Sequence, residues 1–291
     1  MTRPITVGVD GSAESLAAAE WAAREASLRR TPLRIVHAWL WHPLEVGVVQ
    51  DRDIQAKAAE GVLREAKFRV AAHCPDVEIT AEVVSDTVVA ALLAEAGRAE
   101  MTVLGSRGHG AFTGFLLGSY GQQVIASAKR PVVSVRAVEA VGSAGRSGEV
   151  VVGQQGGAED CDAVLEFAFR AAAVHGAAVR AVRAWALPPF HTVMRTEAMR
   201  RFDEAGGLEP YEREALTEAL LPWRKAFPDV PVTEHVEIGG AGEVLLSASA
   251  EAQLLVVGRR VRRSAVGMRI GSVAHAALHH ARCPVAVVPH A

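Results

Sequence analysis

A glycine-rich segment between Gly105 and Ser119 is the part of the sequence whose residue types most clearly suggest a chemical role. It reads GSRGHGAFTGFLLGS and follows the apolar run MTVL. Glycine lets main-chain N–H groups approach negatively charged oxygens without a Cβ in the way. Gly118-Ser119 precedes a predicted helix, whose unpaired N–H groups and dipole favour an anion. The segment therefore predicts a phosphate-binding loop, and a loose structural turn is the alternative interpretation.

The segment matches neither of the two common phosphate-binding motifs. A Walker A loop would end in Lys-Ser/Thr, and a dinucleotide-binding GxGxxG would follow the first strand, whereas these glycines follow the fourth. The sequence also lacks GxSxG and HExxH, so no serine hydrolase is predicted. His275 and His279 lie one turn apart on the last predicted helix. Without further ligands they do not make a zinc site, and we predict no catalytic residue and no metal-ligating residue.

Composition and charge narrow the class of protein. The chain has 291 residues, half of them apolar, and a formal net charge of −2. This composition excludes a disordered chain and provides no general attraction to nucleic acid or to acidic membranes. We found neither a membrane-spanning run nor a signal-peptide pattern and therefore expect a cytoplasmic protein. Three cysteines far apart in the sequence do not suggest a disulfide framework.

The sequence contains an internal repeat. VGVDGSAES near the start corresponds to VGQQGGAED after residue 150, and RIVHAW corresponds to RAVRAW. The runs MTVLGSRG and KRPVVSVR correspond in the same order to LLVVGRRV and RCPVAVVP. Two copies in one order indicate a duplicated domain. We place the domains at residues 1–138 and 149–291, joined by a Gly- and Ser-rich linker at 139–148.

Short apolar runs alternate with alanine-rich amphipathic stretches in each copy, which predicts an α/β fold with a parallel sheet. In the first copy the predicted strands are 5–9, 33–38, 77–84, 101–105 and 132–136, and the predicted helices are 12–30, capped by Ser12, 52–73, 87–98 and 119–128. With the strand order 3-2-1-4-5, the order reverses between strands 1 and 4, where ligands of such sheets bind. Asp10 ends strand 1 and would therefore face the glycine-rich segment.

These residues resemble the ATP-binding universal stress proteins. Gly105, Gly108 and Gly118-Ser119 have the spacing of that family's G-x2-G-x9-G-(S/T) motif, and VGVDGS, VHAW and RPVVSV add to the likeness. The resemblance implies two tandem Rossmann-like domains of the adenine nucleotide alpha hydrolase type, each with a five-stranded parallel sheet flanked by helices. It also implies ATP, usually with Mg²⁺, bound in the first copy. Asp10 would bind the ribose, Val9 and Ala38 would line the adenine pocket, and the motif would hold the phosphates. The implied ATP-binding residues are Gly8, Val9, Asp10, Ala38, Leu104, Gly105, Arg107, Gly108, Gly118, Ser119, Tyr120 and Gly121.

The second copy departs from this pattern. Gly258 and Gly271-Ser272 are retained, but Val261 stands at the middle glycine and Gln155 stands at the aspartate. A β-branched side chain at the middle glycine position should obstruct a phosphate. We therefore expect the second copy to bind nucleotide weakly or not at all. We interpret its arginine-rich loop, with Arg259, Arg260, Arg262 and Arg263, as a solvated basic loop, and residual attraction for anions is the alternative.

The resemblance favours a non-enzymatic regulator that binds ATP in its first domain and acts in a stress response or growth arrest. It implies an internal pseudo-dimer of the two domains through residues 132–136 and 285–289, a possible homodimer and an unknown protein partner. One alternative is a slow ATPase or a phosphoryl- or adenylyl-transfer enzyme. The other is a scaffold with a relic site.

Overall fold

The computed structural model describes residues 2–39, 52–106, 118–137, 147–157, 161–186, 208–261 and 270–290. Strands and helices alternate along these residues, as predicted. The strands are β1 (Ile5–Gly8), β2 (Leu33–Ala38), β3 (Ile79–Val84), β4 (Met101–Ser106), β5 (Val132–Arg136), β6 (Ser147–Gly153), β7 (Ala178–Trp185), β8 (Val232–Ile238), β9 (Ala252–Arg260) and β10 (Val285–His290). The helices are α1 (Ala13–Arg29), α2 (Arg52–His73), α3 (Val88–Arg98), α4 (Ser119–Ser127), α5 (Asp162–His175), α6 (Glu209–Ala226), α7 (Ala241–Ala248) and α8 (Ser272–His280).

The chain divides into two compact units. The first contains β1 to β5 and β10 as far as Pro289; the second contains β6 to β9 and His290. Strands β3-β2-β1-β4-β5 lie side by side in that order and are parallel. The predicted α/β class and the order 3-2-1-4-5 are thus confirmed in the first copy. The second copy repeats the order with its first four strands, as β8-β7-β6-β9.

Strand β10 is the fifth strand of the second copy in sequence but is grouped with the first unit. It pairs antiparallel with β5, with Val285 opposite Ser134 and Val287 opposite Val132. Of the predicted linker 139–148, residues 147 and 148 begin β6 and the others lie outside the described residues. The domain boundaries at 138 and 149 stay a prediction.

Helix α1 packs closely against strand β4, where the main chain of Glu14 lies beside Gly105. Its buried face is mostly alanine, including Ala18, Ala19, Ala22 and Ala23. Such small side chains let a helix backbone approach a strand closely. Ser12 caps the helix as predicted, because its hydroxyl accepts a hydrogen bond from the Ser15 N–H at 3.2 Å. The first turn of α1 is therefore fixed in position beside the end of β1.

Three predicted strand boundaries are wrong by one or two residues. The fourth strand was predicted to end at Gly105 and continues to Ser106. The predicted strand 77–84 begins only at Ile79, because the Val77 N–H bonds back to the Cys74 carbonyl and closes a turn. The first strand ends at Gly8 and not at Val9, although the Val9 N–H still donates to the Val36 carbonyl at 2.9 Å. Apolar runs alone do not mark the residue at which a strand gives way to a turn.

The sequence left open whether 194–226 forms one helix or two. Within the described residues the segment holds one helix, α6, with Pro222 inside it. Trp223 and Phe227 near its end pack with Phe169 of α5, with ring centroids 5.8–6.4 Å apart. Among the described helices, none is long and apolar enough to cross a membrane.

Candidate functional site

The candidate site of the first unit lies where the strand order reverses. Strands β1 and β4 are parallel neighbours, with Gly8 opposite Leu104. Because parallel strands end at the same edge of a sheet, Asp10 and Ser106, each two residues beyond this pair, lie at the same edge. Open α/β sheets bind their ligands at such a reversal. The structure thus places Asp10 at the edge where β4 ends in Gly105 and Ser106. That Asp10 faces the rest of the glycine-rich segment, residues 107–117, stays a prediction because those residues lie outside the described ones.

Asp10 is held by the turn that follows β1. Its Oδ1 accepts hydrogen bonds from the Ser12 N–H at 3.0 Å and from the Ser12 hydroxyl at 2.5 Å. Its own N–H donates to the Ser15 hydroxyl oxygen at 3.2 Å. Gly11 allows the turn with a φ of +84°. Burial raises the pKa of Asp10, but the hydrogen bonds from Ser12 and Ser15 together outweigh it and lower the pKa below 3.8. Asp10 is therefore an exposed, ionised acceptor at neutral pH.

Glycines at the site are there for different physical reasons. A Cβ on Gly8 would lie 2.9 Å from Leu92 and 3.2 Å from Leu104, so this glycine makes room for core side chains. A Cβ on Gly105 would lie 2.6 Å from the main chain of Glu14 in α1, so the tight packing of α1 is sufficient to require glycine there. A Cβ on Gly118 would meet nothing within 4 Å. Of these three, only Gly118 has open space beside it.

Helix α4 begins with an uncapped end. Gly118 is its N-cap residue, with φ −49° and ψ 148°, and because glycine has no side chain it makes no side-chain cap hydrogen bond. Ser119 and Tyr120 are exposed, Gly121 is partly buried, and the first turn carries no acidic residue. Unpaired N–H groups in a first turn, with the positive end of the helix dipole, attract anions. The predicted residues Arg107 and Gly108 lie outside the described residues.

Three apolar residues at or next to the ends of β1, β2 and β4 lie at the same edge of the sheet as Asp10. Val9 and Leu104 are buried, and Ala38 at the end of β2 is half-buried. Sequence reasoning missed His37, whose Nδ1 donates to the Val9 carbonyl at 2.7 Å and ties β2 to β1. A polar residue next to the end of strand β2 was the signal that could have found it.

The second copy replaces these contacts with a different polar network. Gln154, at the position of Val9, is buried, and its Nε2 donates to the Gly156 carbonyl at 3.2 Å. Arg183, at the position of His37, donates to the Gln154 carboxamide oxygen and to the Gly156 carbonyl and pairs with Glu212. This network holds the β6–α5 turn, which carries no carboxylate at residue 155. Val261, at the middle glycine position, is 46% exposed.

The described residues hold no group of three or more His, Cys, Asp or Glu side chains able to bind a metal ion. All three cysteines are buried and reduced. The part of the site that the structure describes therefore consists of one carboxylate, an apolar wall and a helix end. Such an arrangement is suited to binding a polar ligand with an anionic end.

Comparisons with known proteins agree with the duplicated fold. A family model described as the universal stress protein family matches residues 1–136 and 149–289. The chain is 34% identical over 291 residues to universal stress protein Rv2005c of Mycobacterium tuberculosis, a match that covers 97% of this chain and 96% of the relative. A universal stress protein of Mycolicibacterium smegmatis is 31% identical over 299 residues, with coverage of 98% and 96%.

A solved structure shows the same architecture. The crystal structure of a universal stress protein from Archaeoglobus fulgidus DSM 4304 superposes with a TM-score of 0.70 at 19% identity, covering 99% of this chain and 98% of that one. The two family matches account for nearly the whole chain. The chain belongs to the universal stress protein family, as a tandem protein that carries the family domain twice.

Proposed function

We propose that the first unit binds ATP and that the chain acts as a nucleotide-dependent regulator in a bacterial stress response or growth arrest. The observation that carries this proposal is the arrangement at the β1–β4 reversal. An ionised carboxylate, Asp10, lies two residues beyond the end of β1. The neighbouring strand β4 is followed in the sequence by the glycine-rich segment and then by α4, whose N-cap residue is Gly118. These are acceptors and donors of the kinds that a ribose and a phosphate chain need.

Each group has a role set by its chemistry. Oδ1 of Asp10 already accepts two hydrogen bonds from Ser12, and Oδ2 is the oxygen left for the ribose hydroxyls among the contacts described. Val9, Ala38 and Leu104 provide an apolar wall for the adenine ring. The N–H groups at the start of α4 and the Ser119 hydroxyl donate to phosphate oxygens, and Arg107 and Gly108 belong to the same motif.

Magnesium fits this site as a companion of the phosphates. Mg²⁺ is commonly held by substrate phosphates and water with one or two carboxylates, and seldom by an all-protein cage. The absence of an acidic or histidine cluster from the described residues agrees with that mode of binding. The ion would neutralise phosphate charge, while the residues of this chain position the nucleotide.

The regulatory step follows from where the phosphates would lie. Tyr120 stands beside Ser119 with 56% of its surface exposed. Phosphate oxygens at the start of α4 would change the charge and hydrogen bonding of the surface on which this ring stands. A protein partner that contacts this surface would distinguish the nucleotide-bound chain from the free chain.

Calorimetric titration of the full chain with ATP and excess Mg²⁺ tests the proposal. We expect one site per chain. Asp10→Ala and Gly118→Ala should each weaken binding by about tenfold or more, because one removes the ribose acceptor and the other places a methyl group at the phosphates. Gly271→Ala is the matched control in the second copy, since its Cβ also meets nothing within 4 Å.

Three results would contradict the proposal. Absence of ATP binding by the purified chain would favour the scaffold interpretation. Equal weakening by Gly271→Ala and Gly118→Ala would show that the site is not confined to the first copy. Phosphate release faster than about one per second would identify an enzyme, since typical turnover numbers begin at that level.

A further inference from the structure

The second unit contains a cavity of about 500 Å³ at the carboxyl ends of its strands. All the described residues that line it belong to this unit. Its volume lies within the range of pockets that bind small molecules. The cavity occupies the position in the second copy that the candidate nucleotide site occupies in the first, so its own lining decides which ligand it suits.

The buried part of the lining is an apolar wall. Val182 of β7, Leu245 of α7 and Val257 of β9 are buried there, and Ala184 is half-buried. A Cβ on Gly153 would lie 3.0 Å from the Leu245 side chain, so this glycine lets the leucine lie directly against the sheet. The wall therefore comes from rigid elements of the fold and offers a ligand hydrocarbon surface.

The polar groups beside this wall are bonded to one another. Nε2 of the buried Gln154 donates to the Gly156 carbonyl at 3.2 Å, and its Oε1 accepts from Arg183. The Cys161 thiol donates to the Gln155 carbonyl at 2.9 Å. Because these hydrogen bonds are already made, a ligand gains little from polar contact with the same groups. Its contacts in the buried part of the cavity are therefore mainly apolar.

The exposed part of the lining is polar. Gln155, Arg260 and Ser272 are exposed, and the half-buried His290 packs its ring against Gly258. A charged ligand would lose hydration on reaching the apolar wall. An ion pair with an exposed arginine would return little of that cost, since exposed ion pairs are weak. The lining thus suits a molecule that is apolar at one end and polar but uncharged at the other.

We infer that the second unit binds a small uncharged molecule made of an apolar ring and one hydroxyl group. The ring lies against the apolar wall, and the hydroxyl lies beside Gln155, whose carboxamide can both donate and accept a hydrogen bond. A ring loses little conformational freedom on binding, which favours it over a flexible chain of the same size. This inference concerns residues of the second unit only and does not depend on ATP binding in the first.

Titration of the full chain with benzyl alcohol, followed by saturation-transfer NMR, tests this inference. We expect binding at millimolar concentration that Ala184→Leu weakens by about tenfold or more, because the larger side chain fills the space beside the apolar wall. Ala38→Leu is the matched control, since VHAW and VRAW place Ala38 and Ala184 at equivalent positions of the two copies. It should leave benzyl alcohol binding unchanged. Ala184→Val adds less volume and should weaken binding in the same direction, which keeps the test valid if Ala184→Leu does not fold.

Ligands of the same size examine the polar end. Benzoate and benzylammonium should each bind about tenfold more weakly than benzyl alcohol, because each would bring a charge towards the apolar wall. Gln155→Ala should weaken benzyl alcohol binding by about threefold or more, since the hydroxyl loses a hydrogen-bond partner.

The inference is overturned if benzyl alcohol does not bind at millimolar concentration or if Ala184→Leu and Ala184→Val bind it as well as the unmodified chain. Tighter binding of benzoate than of benzyl alcohol would also overturn it, because the cavity would then be an anion site. Loss of benzyl alcohol binding in Ala38→Leu would place the ligand in the first unit instead. Weaker ATP binding in Ala38→Leu with benzyl alcohol binding retained would support both proposals, and either can fail alone.

Discussion

Replacing Gly105 with alanine should destabilise the first unit, whereas the same replacement at Gly118 should not. An alanine Cβ at residue 105 would lie 2.6 Å from the carbonyl carbon and oxygen of Glu14 and 2.7 Å from the Ser15 nitrogen. Ordinary contacts begin near 3.4 Å. Helix α1 and strand β4 would therefore have to separate locally by about 0.8 Å, in an interior packed at nearly crystalline density.

The magnitude follows from what can move. Overpacking a core typically costs about 1–3 kcal/mol. The new Cβ is attached directly to the main chain of β4 and meets main-chain atoms of α1, so no side-chain rotation can relieve the contact. We therefore expect the free energy of unfolding to fall by about 3 kcal/mol. At Gly118 the new methyl group meets nothing within 4 Å, and φ is −49°. Alanine is a weaker N-cap than glycine, which lowers the free energy of unfolding, but it also makes the unfolded chain less flexible, which raises it. Each effect is below about 1 kcal/mol.

Urea denaturation followed by far-ultraviolet circular dichroism measures these changes. Gly258→Ala is the matched control, because the atoms nearest to the new Cβ belong to the side chain of His290, which can rotate. We expect it to lower the free energy of unfolding by less than Gly105→Ala does. An unchanged midpoint for Gly105→Ala would refute the packing explanation. A loss for Gly118→Ala as large as that for Gly105→Ala would refute the distinction between the two glycines.

Two further predictions concern charged groups. The hydrogen bonds that lower the pKa of Asp10 stabilise the folded chain above about pH 4, and this contribution is lost as the pH falls through the lowered pKa. Asp10→Asn should therefore reduce the acid dependence of the urea midpoint. Glu95, 5% exposed, bonds to Arg34 at 2.6 Å, so Glu95→Ala should cost about 2 kcal/mol in thermal or urea unfolding. Glu82→Ala, at a carboxylate 56% exposed, should cost less than about 1 kcal/mol, and equal losses would contradict this reasoning.

Much of the fold was predictable because local signals agreed with one another. Alternating apolar and amphipathic runs predicted the parallel sheet, and Ser12 marked the start of α1. The position of Asp10 followed from the strand order. Each of these inferences depends on nearby residues or on a general rule of sheet topology.

The remaining features depend on contacts between residues distant in the sequence. The glycine-rich motif did not reveal that Gly105 is required by the approach of α1, since that contact joins residues about 90 positions apart. In the second copy, Gln155 and Val261 predicted a lost site. The side chains that replace it, Arg183, Gln154 and His290, come from three different strand ends. Because these residues are far apart along the chain, local sequence patterns could not predict that they would lie together at this end of the second unit.

The pairing of β10 with β5 has a consequence for synthesis of the chain. Strand β5 ends at Arg136, but its antiparallel neighbour begins only at Val285. A ribosome therefore has to add roughly 150 residues, about 10–30 s of elongation, between the two. During that interval the apolar edge of β5 has no strand beside it on this side, and exposed strand edges invite association with other chains. A growing chain would need chaperone protection at this edge until β10 has been made.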